Sequence, residues 1–434
     1  MKVLITLVLL LFLIIGGVSA SDDSQSSHLQ SSVVDDSLSQ DSLAADTNLI
    51  KDQMEDNAYS STDDSSILTD NNDTNELYAD ADLALDEADS IESDSGNVAS
   101  SADAKSQNVL GASASEPDKL GDTLANLQTL INQNGNTKSL TQDYTVGTNT
   151  ADYSRITINK DLTINGNNHI LDANARGQIF YITGQRTITF NNIIFRNAGT
   201  GQNDGGAVYA DSRCTLTFNN CQFINNLCSG NGAAVCAYGT SSNTYRTWTF
   251  SNCTFTNNTA SSYGGAIYVQ RYVGLSISNC RFDGNIGTYG SAIYGSNTNY
   301  GQTCTITGSN FTGNVASNRA ALYISFGTIS INSCNFDNNT GQVVGAIMIY
   351  KTDNPVNIQN SNFTGNKAES SDEDDEGRGG AIRFNTVARA VVDNCVFDSN
   401  SAYFGGALYA PYSASDSSRI TNSKFINNTG VSNG

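Results

Sequence analysis

The side chains that could do chemistry in this chain are nine cysteines, two histidines and a scatter of carboxylates. Their spacing argues against most of it. A structural zinc site needs paired thiolates or imidazoles, and no CxxC occurs. Five cysteines, Cys221, Cys253, Cys280, Cys334 and Cys395, stand two residues before a recurrent Phe, and Ser309, Ser361 and Ser423 stand there in other copies. A position that accepts Ser and Cys alike selects a small side chain. Buried packing thiols are therefore expected rather than a disulfide framework, whose torsion suits parallel stacked side chains poorly. Asp283, Asp337 and Asp398 follow the same Phe, but Ile224, Thr256, Thr312 and Thr364 fill that position elsewhere. Asp337 and Asp398 fall two repeats apart, about 10 Å at strand spacing. Asp172, Asp211 and Asp393 belong to other positions, and His169 has no partner motif. Acid–base chemistry needs convergent groups. No enzymatic activity, catalytic residue, metal or cofactor is expected.

One recurrent column is aromatic: Tyr209, Tyr268, Tyr294, Tyr323 and Tyr409, with Cys236, Met348 and Arg383 in the intervening copies. Aliphatic or small residues flank it on both sides, so period-2 alternation turns it away from the core. An exposed ladder of this kind would stack on sugars or a protein partner. The competing reading is a self-packing ladder that only stiffens the scaffold. The run Glu369–Glu376 lacks the alternation of a calcium loop and is expected to be a solvated loop tip. Asn-x-Ser/Thr sequons begin at Asn72, Asn252, Asn257, Asn310, Asn338, Asn362 and Asn427. Most fall in repeat turns, where Asn has a structural explanation, and Asn72 is the most accessible glycan candidate.

A repeat positions these columns. A small-small-Ala-aliphatic motif begins at Gly205, Gly232, Gly264, Gly290, Arg319, Val344, Gly379 and Gly405. It interleaves with FxxN, begun by Phe223, Phe255, Phe282, Phe311, Phe336, Phe363, Phe397 and Phe425 at spacings of 25–34 residues. Aliphatic or aromatic residues recur five and seven before the Phe, and Asn recurs three before it, as at Asn220, Asn252 and Asn279. Short alternating strands, one per column, close into a solenoid in which like residues stack on like. Asn tolerates the left-handed bends and Gly-Gly the tight corner. The fold expected is all-β: a right-handed single-stranded parallel β-helix, a pectin-lyase-like solenoid, of about nine to eleven coils. Residues 122–134 place Leu124, Leu127, Leu130 and Ile131 on one helical face, with Asp122 as N-cap, and form the expected cap for the open end. Leading coils span 153–195 and repeat coils 196–434.

The net charge of −21 is unevenly spread. Residues 21–115 carry −20 and residues 116–434 only −2. Residues 1–20 begin with Lys2, continue through an apolar run from Val3 to Val18 and end Val-Ser-Ala, the pattern of a secretory signal peptide. Segment 21–115, rich in Ser and Asp, is expected to be a disordered linker. No other stretch is apolar enough to span a bilayer as a helix. A β-helix module of net −2 offers no basic stripe, so nucleic acid is not an expected partner. The cadence would place the next small-small-Ala motif near Gly434, so continuation into a longer protein is expected.

The paired GGA(I/V/L) and FxxN repeats resemble the passenger repeats of chlamydial polymorphic membrane proteins. The order of signal, acidic segment, capping helix and Cys/Asn-rich coils is similar, over roughly residues 118–434, to adhesin-like surface proteins of methanogenic archaea. The 434 residues contain no β-barrel translocator or wall-binding repeat, so an autotransporter is not expected from them. It implies an extracellular, cell-surface, non-catalytic β-helix mediating attachment, with surface glycans or proteins of a host or partner cell as partners. The alternatives are a passive wall or stalk component and a polysaccharide lyase or hydrolase on the same scaffold.

Overall fold

The structure, a computed structural model, describes residues 122–146, 155–199, 204–238, 245–297, 301–370, 377–411 and 418–432. The signal-like segment 1–20, the linker 21–115 with Asn72, and the acidic residues 371–376 lie outside the described residues.

The chain winds as a right-handed parallel β-helix. All its named strand pairs are parallel, and each typical coil contributes four short strands. The first wall follows the small-small-Ala corner, as in Val208–Asp211, Ile267–Gln270 and Leu322–Phe326. The second comprises strands such as Thr215–Asn219 and Thr328–Asn332. Two long strands, Ile347–Gln359 and Ile382–Asp393, run through both walls and merge them into one 19-stranded sheet. The third wall, twelve-stranded, carries the repeat Phe in strands such as Gln222–Ile224, and the fourth is eight-stranded with two-residue strands such as Leu227–Cys228.

Alternation decides which side chains enter the barrel. In Thr215–Asn219 the apolar Leu216 and Phe218 are buried and Thr215, Thr217 and Asn219 face out. The nine Phe from Phe195 to Phe425 stack face to face, with centroid separations of 4.5–4.9 Å. That is the strand repeat itself, so each ring sits directly on its counterpart in the next coil. A second aromatic column, Phe190, Phe218 and Phe250, stacks at 5.0 Å and meets the first edge-on, as in the 5.5 Å contact of Phe218 with Phe223. Phe425 stacks on Phe397 yet is 46% exposed, because no described coil covers its other face.

Two expectations about the start of the solenoid are corrected. Pairing begins before residue 153: Thr137–Ser139 already pairs with Leu162–Asn165, and Asp122–Thr123 with Tyr144–Thr145. The helix is Leu124–Asn132, and its N-cap is Thr123, whose Oγ1 accepts from the Asn126 N–H at 3.3 Å. Asp122 is held in the strand pair instead, with its carboxylate accepting from Thr123 N–H and Gln142. The helix buries Leu124, Leu127 and Ile131 over the barrel end, with Leu130 partly buried beside them. At its other end Lys138 Nζ donates to the Gln133 and Asn134 carbonyls at 3.0 and 2.9 Å, and Lys160 Nζ donates to Gln133 at 3.0 Å. Cations there meet orphan carbonyls and the negative end of the helix dipole.

Candidate functional site

The aromatic column keeps the register expected for it. Tyr209 pairs with Cys236, Cys236 with Tyr268, Tyr268 with Tyr294 and Tyr294 with Tyr323. It continues through Met348 and Arg383 to Tyr409. Its neighbours Ile267 and Val269 belong to the core, whereas Tyr268 belongs to a separate cluster outside the barrel.

The expected exposure is wrong for the middle of the ladder. Tyr268, Tyr294 and Tyr323 are only 8%, 5% and 5% exposed, while Tyr209 and Tyr409 are half-buried. Two causes act together. The rings stack on one another, Tyr268 on Tyr294 at 5.4 Å and Tyr294 on Tyr323 at 4.9 Å. A second layer then covers them: Tyr263, Tyr289, Val343 and Tyr350 pack over the cluster, and the Arg319 guanidinium lies 5.5 and 5.9 Å from the Tyr289 and Tyr323 ring centroids. Burial pushes the Tyr323 phenol well above its ordinary range. The ladder is thus a packed layer, and the half-buried Tyr263, Tyr289, Tyr350 and Arg319 form its outer surface.

Sequence reasoning missed that outer layer, although its signal was present. Tyr263 and Tyr289 stand immediately before the corner motif, five residues before Tyr268 and Tyr294. It also missed Tyr181 and Tyr238, which extend the aromatic wall. Tyr181 stacks on Tyr209 at 5.9 Å, Tyr209 on Tyr238 at 4.3 Å, and the Arg155 guanidinium sits 4.0 Å over Tyr181. Arg155 is exposed, so this cation–ring contact is worth roughly 0.5–1 kcal/mol.

The thiols behave as packing groups with a polar duty. All nine cysteines are free and buried. Cys253 Sγ shares its one proton between the Phe218 and Ser251 carbonyls, both at 3.4 Å, and the Cys280 Sγ accepts from the Cys253 N–H at 3.4 Å. Ser361 Oγ donates to the Gln359 carbonyl at 2.7 Å and accepts from the Cys334 N–H at 3.1 Å. The column therefore needs a small donor, which explains the Cys/Ser alternation. Burial pushes the Cys334 thiol up to about 11 and the Cys304 thiol to about 12.

The structural Asn residues divide into two populations. Asn220, Asn252 and Asn279, the ones singled out by sequence, are exposed corner residues with φ of 52–54°. The last Asn of FxxN forms the buried ladder. Asn285, Asn314 and Asn339 are fully buried, and each Nδ2 donates both to the next Asn Oδ1 and to a Phe carbonyl of the preceding coil.

The carboxylates are drawn into local contacts. Asp172 accepts from Arg196 and Asn197, and Asp211 is clasped by Arg213. Burial raises Asp211, but the hydrogen bonds and charge of Arg213 outweigh it and hold the acid below its ordinary range. At Asp283 burial wins over the neighbouring Arg281 and the acid is raised. Among the described residues no group of three or more His, Cys, Asp or Glu is placed to hold a metal ion, and no helix is long and apolar enough to cross a membrane.

Comparison with known families agrees with this geometry. Residues 206–371 match the model of the right handed beta helix region. Residues 394–411 match the Chlamydia polymorphic membrane protein repeat. The described residues form a right-handed parallel β-helix of stacked repeats. The second match runs from the corner Asn394 through Phe397 and its buried Asn400 to the Gly405–Leu408 corner, so it covers the two interleaved motifs of one coil. No curated protein matches the chain.

Proposed function

We propose that this β-helix is a non-catalytic, extracellular attachment module. It is held outside the cell behind its acidic segment, and it contacts glycans or proteins of another surface through the aromatic–arginine layer of its first wall. The observation that carries this is the outer layer of Tyr263, Tyr289, Tyr350 and Arg319. The barrel interior is already filled, so the core does not require these side chains. Tyr and Arg are the residue types that dominate binding hot spots. The repeat shared with polymorphic membrane proteins supports a surface location. The pairing of acids with Arg196, Arg213 and Arg281 supports a non-catalytic role.

The test is binding of the full chain to cells and to glycan arrays, wild type against the triple variant Tyr263→Ser/Tyr289→Ser/Tyr350→Ser. Loss of at least ten-fold in affinity is expected, since removing each hot-spot aromatic costs about 1–2 kcal/mol. Equal binding by both proteins would refute the wall as the contact surface. A passive stalk is the second reading, favoured by the self-stacked rings of Tyr268, Tyr294 and Tyr323, and it predicts that neither protein binds anything.

A further inference from the structure

Residues 116–434 contain six sequons, and all six use Thr as the hydroxyl residue. They start at Asn252, Asn257, Asn310, Asn338, Asn362 and Asn427. All six Asn side chains are exposed, in contrast to the buried FxxN ladder. All six lie on the twelve-stranded third wall or at the two corners that bound it. Asn310 and Asn362 begin the strands Asn310–Thr312 and Asn362–Thr364. Period 2 turns the Asn and Thr of such a sequon to the same outer face. Asn252 precedes the strand Thr254–Thr256 and Asn257 follows it.

The corner after this wall carries more information. Its residue has φ between 51 and 62° in every coil from Asn257 to Asn427, which only Asn, Gly or a tolerant Ser meets at low cost. In order it reads Asn257, Gly284, Gly313, Asn338, Gly365, Ser399, Asn427. The residue two places on begins the fourth wall. It is Thr259, Thr340 or Thr429 wherever the corner is Asn. It is Ile286, Val315, Lys367 or Ser401 wherever the corner is Gly or Ser. Backbone geometry explains Asn or Gly at the corner, but it does not explain why Asn is coupled to Thr on the next strand. In the two coils before Asn257 the coupling is absent: Asn197 and Asn225 are followed by Gly199 and Leu227.

Spacing adds a steric argument. The strand ladder places Thr259, Thr340 and Thr429 three coils apart. That is about 14 Å along the axis. Between the Asn residues stand corners with little or no side chain. A Cβ at Gly313 would meet nothing within 4 Å, and one at Gly284 would meet only the Asn257 carboxamide. The gap accommodates a sugar on each Asn.

We infer that the third wall and its far corner are a glycosylated face, with N-linked oligosaccharides on Asn257, Asn338 and Asn427 and further acceptors at Asn252 and Asn310. The inference rests on the extracellular reading, since the acceptor must meet a transferase and its donor there. The donor class is a lipid-phosphate-linked oligosaccharide. The Asn Nδ2 attacks the anomeric carbon, the bond from that carbon to the phosphate oxygen breaks, and the phosphate leaves with the electron pair. One Nδ2 proton passes to a base of the transferase. Asn362 must first release its Nδ2 from Asn335 Oδ1 at 2.9 Å, and Asn338 from the adjacent Asp337 Oδ1 at 3.1 Å, whereas Asn310 uses its Oδ1, accepting from Asn335 Nδ2 at 2.8 Å. A glycan coat on this wall leaves the first wall bare and orients the module.

The experiment is peptide mapping by mass spectrometry of the full chain purified from the cells that produce it, after separating cells from medium and cell surface. Whole-sugar mass increments on the peptides containing Asn257, Asn338 and Asn427 are expected. They should be lost one by one in Asn257→Gly, Asn338→Gly and Asn427→Gly, which keep the corner conformation already used by Gly284, Gly313 and Gly365. A chain recovered outside the cell with all three corner Asn residues unmodified, or modified only at Asn72, overturns the inference while leaving the extracellular reading intact. A chain recovered only inside the cell and unmodified overturns both.

Discussion

Asn314→Ala tests whether the buried amide ladder holds the coils together. Asn314 is fully buried. Its Nδ2 donates to the Phe282 carbonyl at 3.0 Å and to Asn339 Oδ1 at 2.9 Å, and its Oδ1 accepts from the Asn285 backbone N–H at 3.0 Å and Nδ2 at 2.9 Å. Truncation removes all four bonds. Two losses are partly covered: Asn285 Nδ2 keeps the Phe255 carbonyl, and Asn339 Oδ1 keeps the Asn314 backbone N–H. The Phe282 carbonyl and the Asn285 N–H lose this partner in an interior with no room for exchange. At about 1–3 kcal/mol per orphaned buried group, the loss is about 2–6 kcal/mol. Asn428 makes three similar bonds but is half-buried, so water replaces them and Asn428→Ala should cost about 1 kcal/mol. Solenoids open locally, so the assay is amide hydrogen exchange of the full chain, read at coils around Phe282 and Phe311 and compared with a distant coil. Local protection should fall by at least thirty-fold, about 2 kcal/mol, for Asn314→Ala. Equal effects of the two substitutions, or a loss below about 1 kcal/mol at Asn314, would refute the ladder as a stabilising element.

Two further predictions follow from the thiols and phenols. Cys253→Ser should leave stability within about 1 kcal/mol, because serine already fills the column, whereas Cys253→Val should cost about 1–3 kcal/mol by removing the donor to the Phe218 carbonyl; urea denaturation separates the two. Stability should also fall in alkali. Burial raises Cys214, Cys334 and Cys304 from 9.0 to about 11, 11 and 12, and raises Tyr323 from 10.0, so the folded state prefers the protonated forms. Their contribution is complete below pH 9 and is lost as the pH rises through the folded values, so thermal unfolding followed by circular dichroism should shift downward between pH 9 and 12, and a flat profile over that range would contradict the burial of these groups.

The coil architecture was legible because stacked repeats turn three-dimensional neighbours into sequence columns. Leu216 and Phe218 announce an inward pair by period 2, and the Phe spacing announces the coil. Residue type alone failed where one side chain has two uses. Asn252 and Asn258 lie six residues apart and look equivalent, yet the first is an exposed left-handed corner and the second a buried ladder member. Lys138 is only 5% exposed at the centre of its short strand, where its amine caps the helix, a role that residue type alone does not announce. Period 2 turns the Tyr column away from the core, but its burial depends on residues of another corner. Tyr263 and Tyr289 supply that cover, and nothing about Tyr268 itself reports it.

The geometry of the aromatic wall separates stiffening from recognition. Rings stacked at coil spacing, such as Tyr294 on Tyr323 at 4.9 Å and 9°, spend their faces on each other and present only edges. A sugar or apolar partner needs a free face. The corner rings are tilted out of the stack: Tyr263 stands at 42° to Tyr289 and 44° to Tyr294, and Tyr350 at 32° to Tyr323. Those rings are not stacked face to face, and Arg319 and Lys351 stand beside Tyr289 and Tyr350 as further polar contacts for a ligand. If the first wall binds, Tyr294→Ser should therefore lower stability, by about 3 kcal/mol for a buried aromatic truncation, and change affinity only through unfolding. Tyr289→Ser should lower affinity with little change in the unfolding midpoint. The opposite pattern, with affinity following Tyr294 and stability following Tyr289, would mean that the ladder opens to meet its ligand and that the outer layer is the structural part.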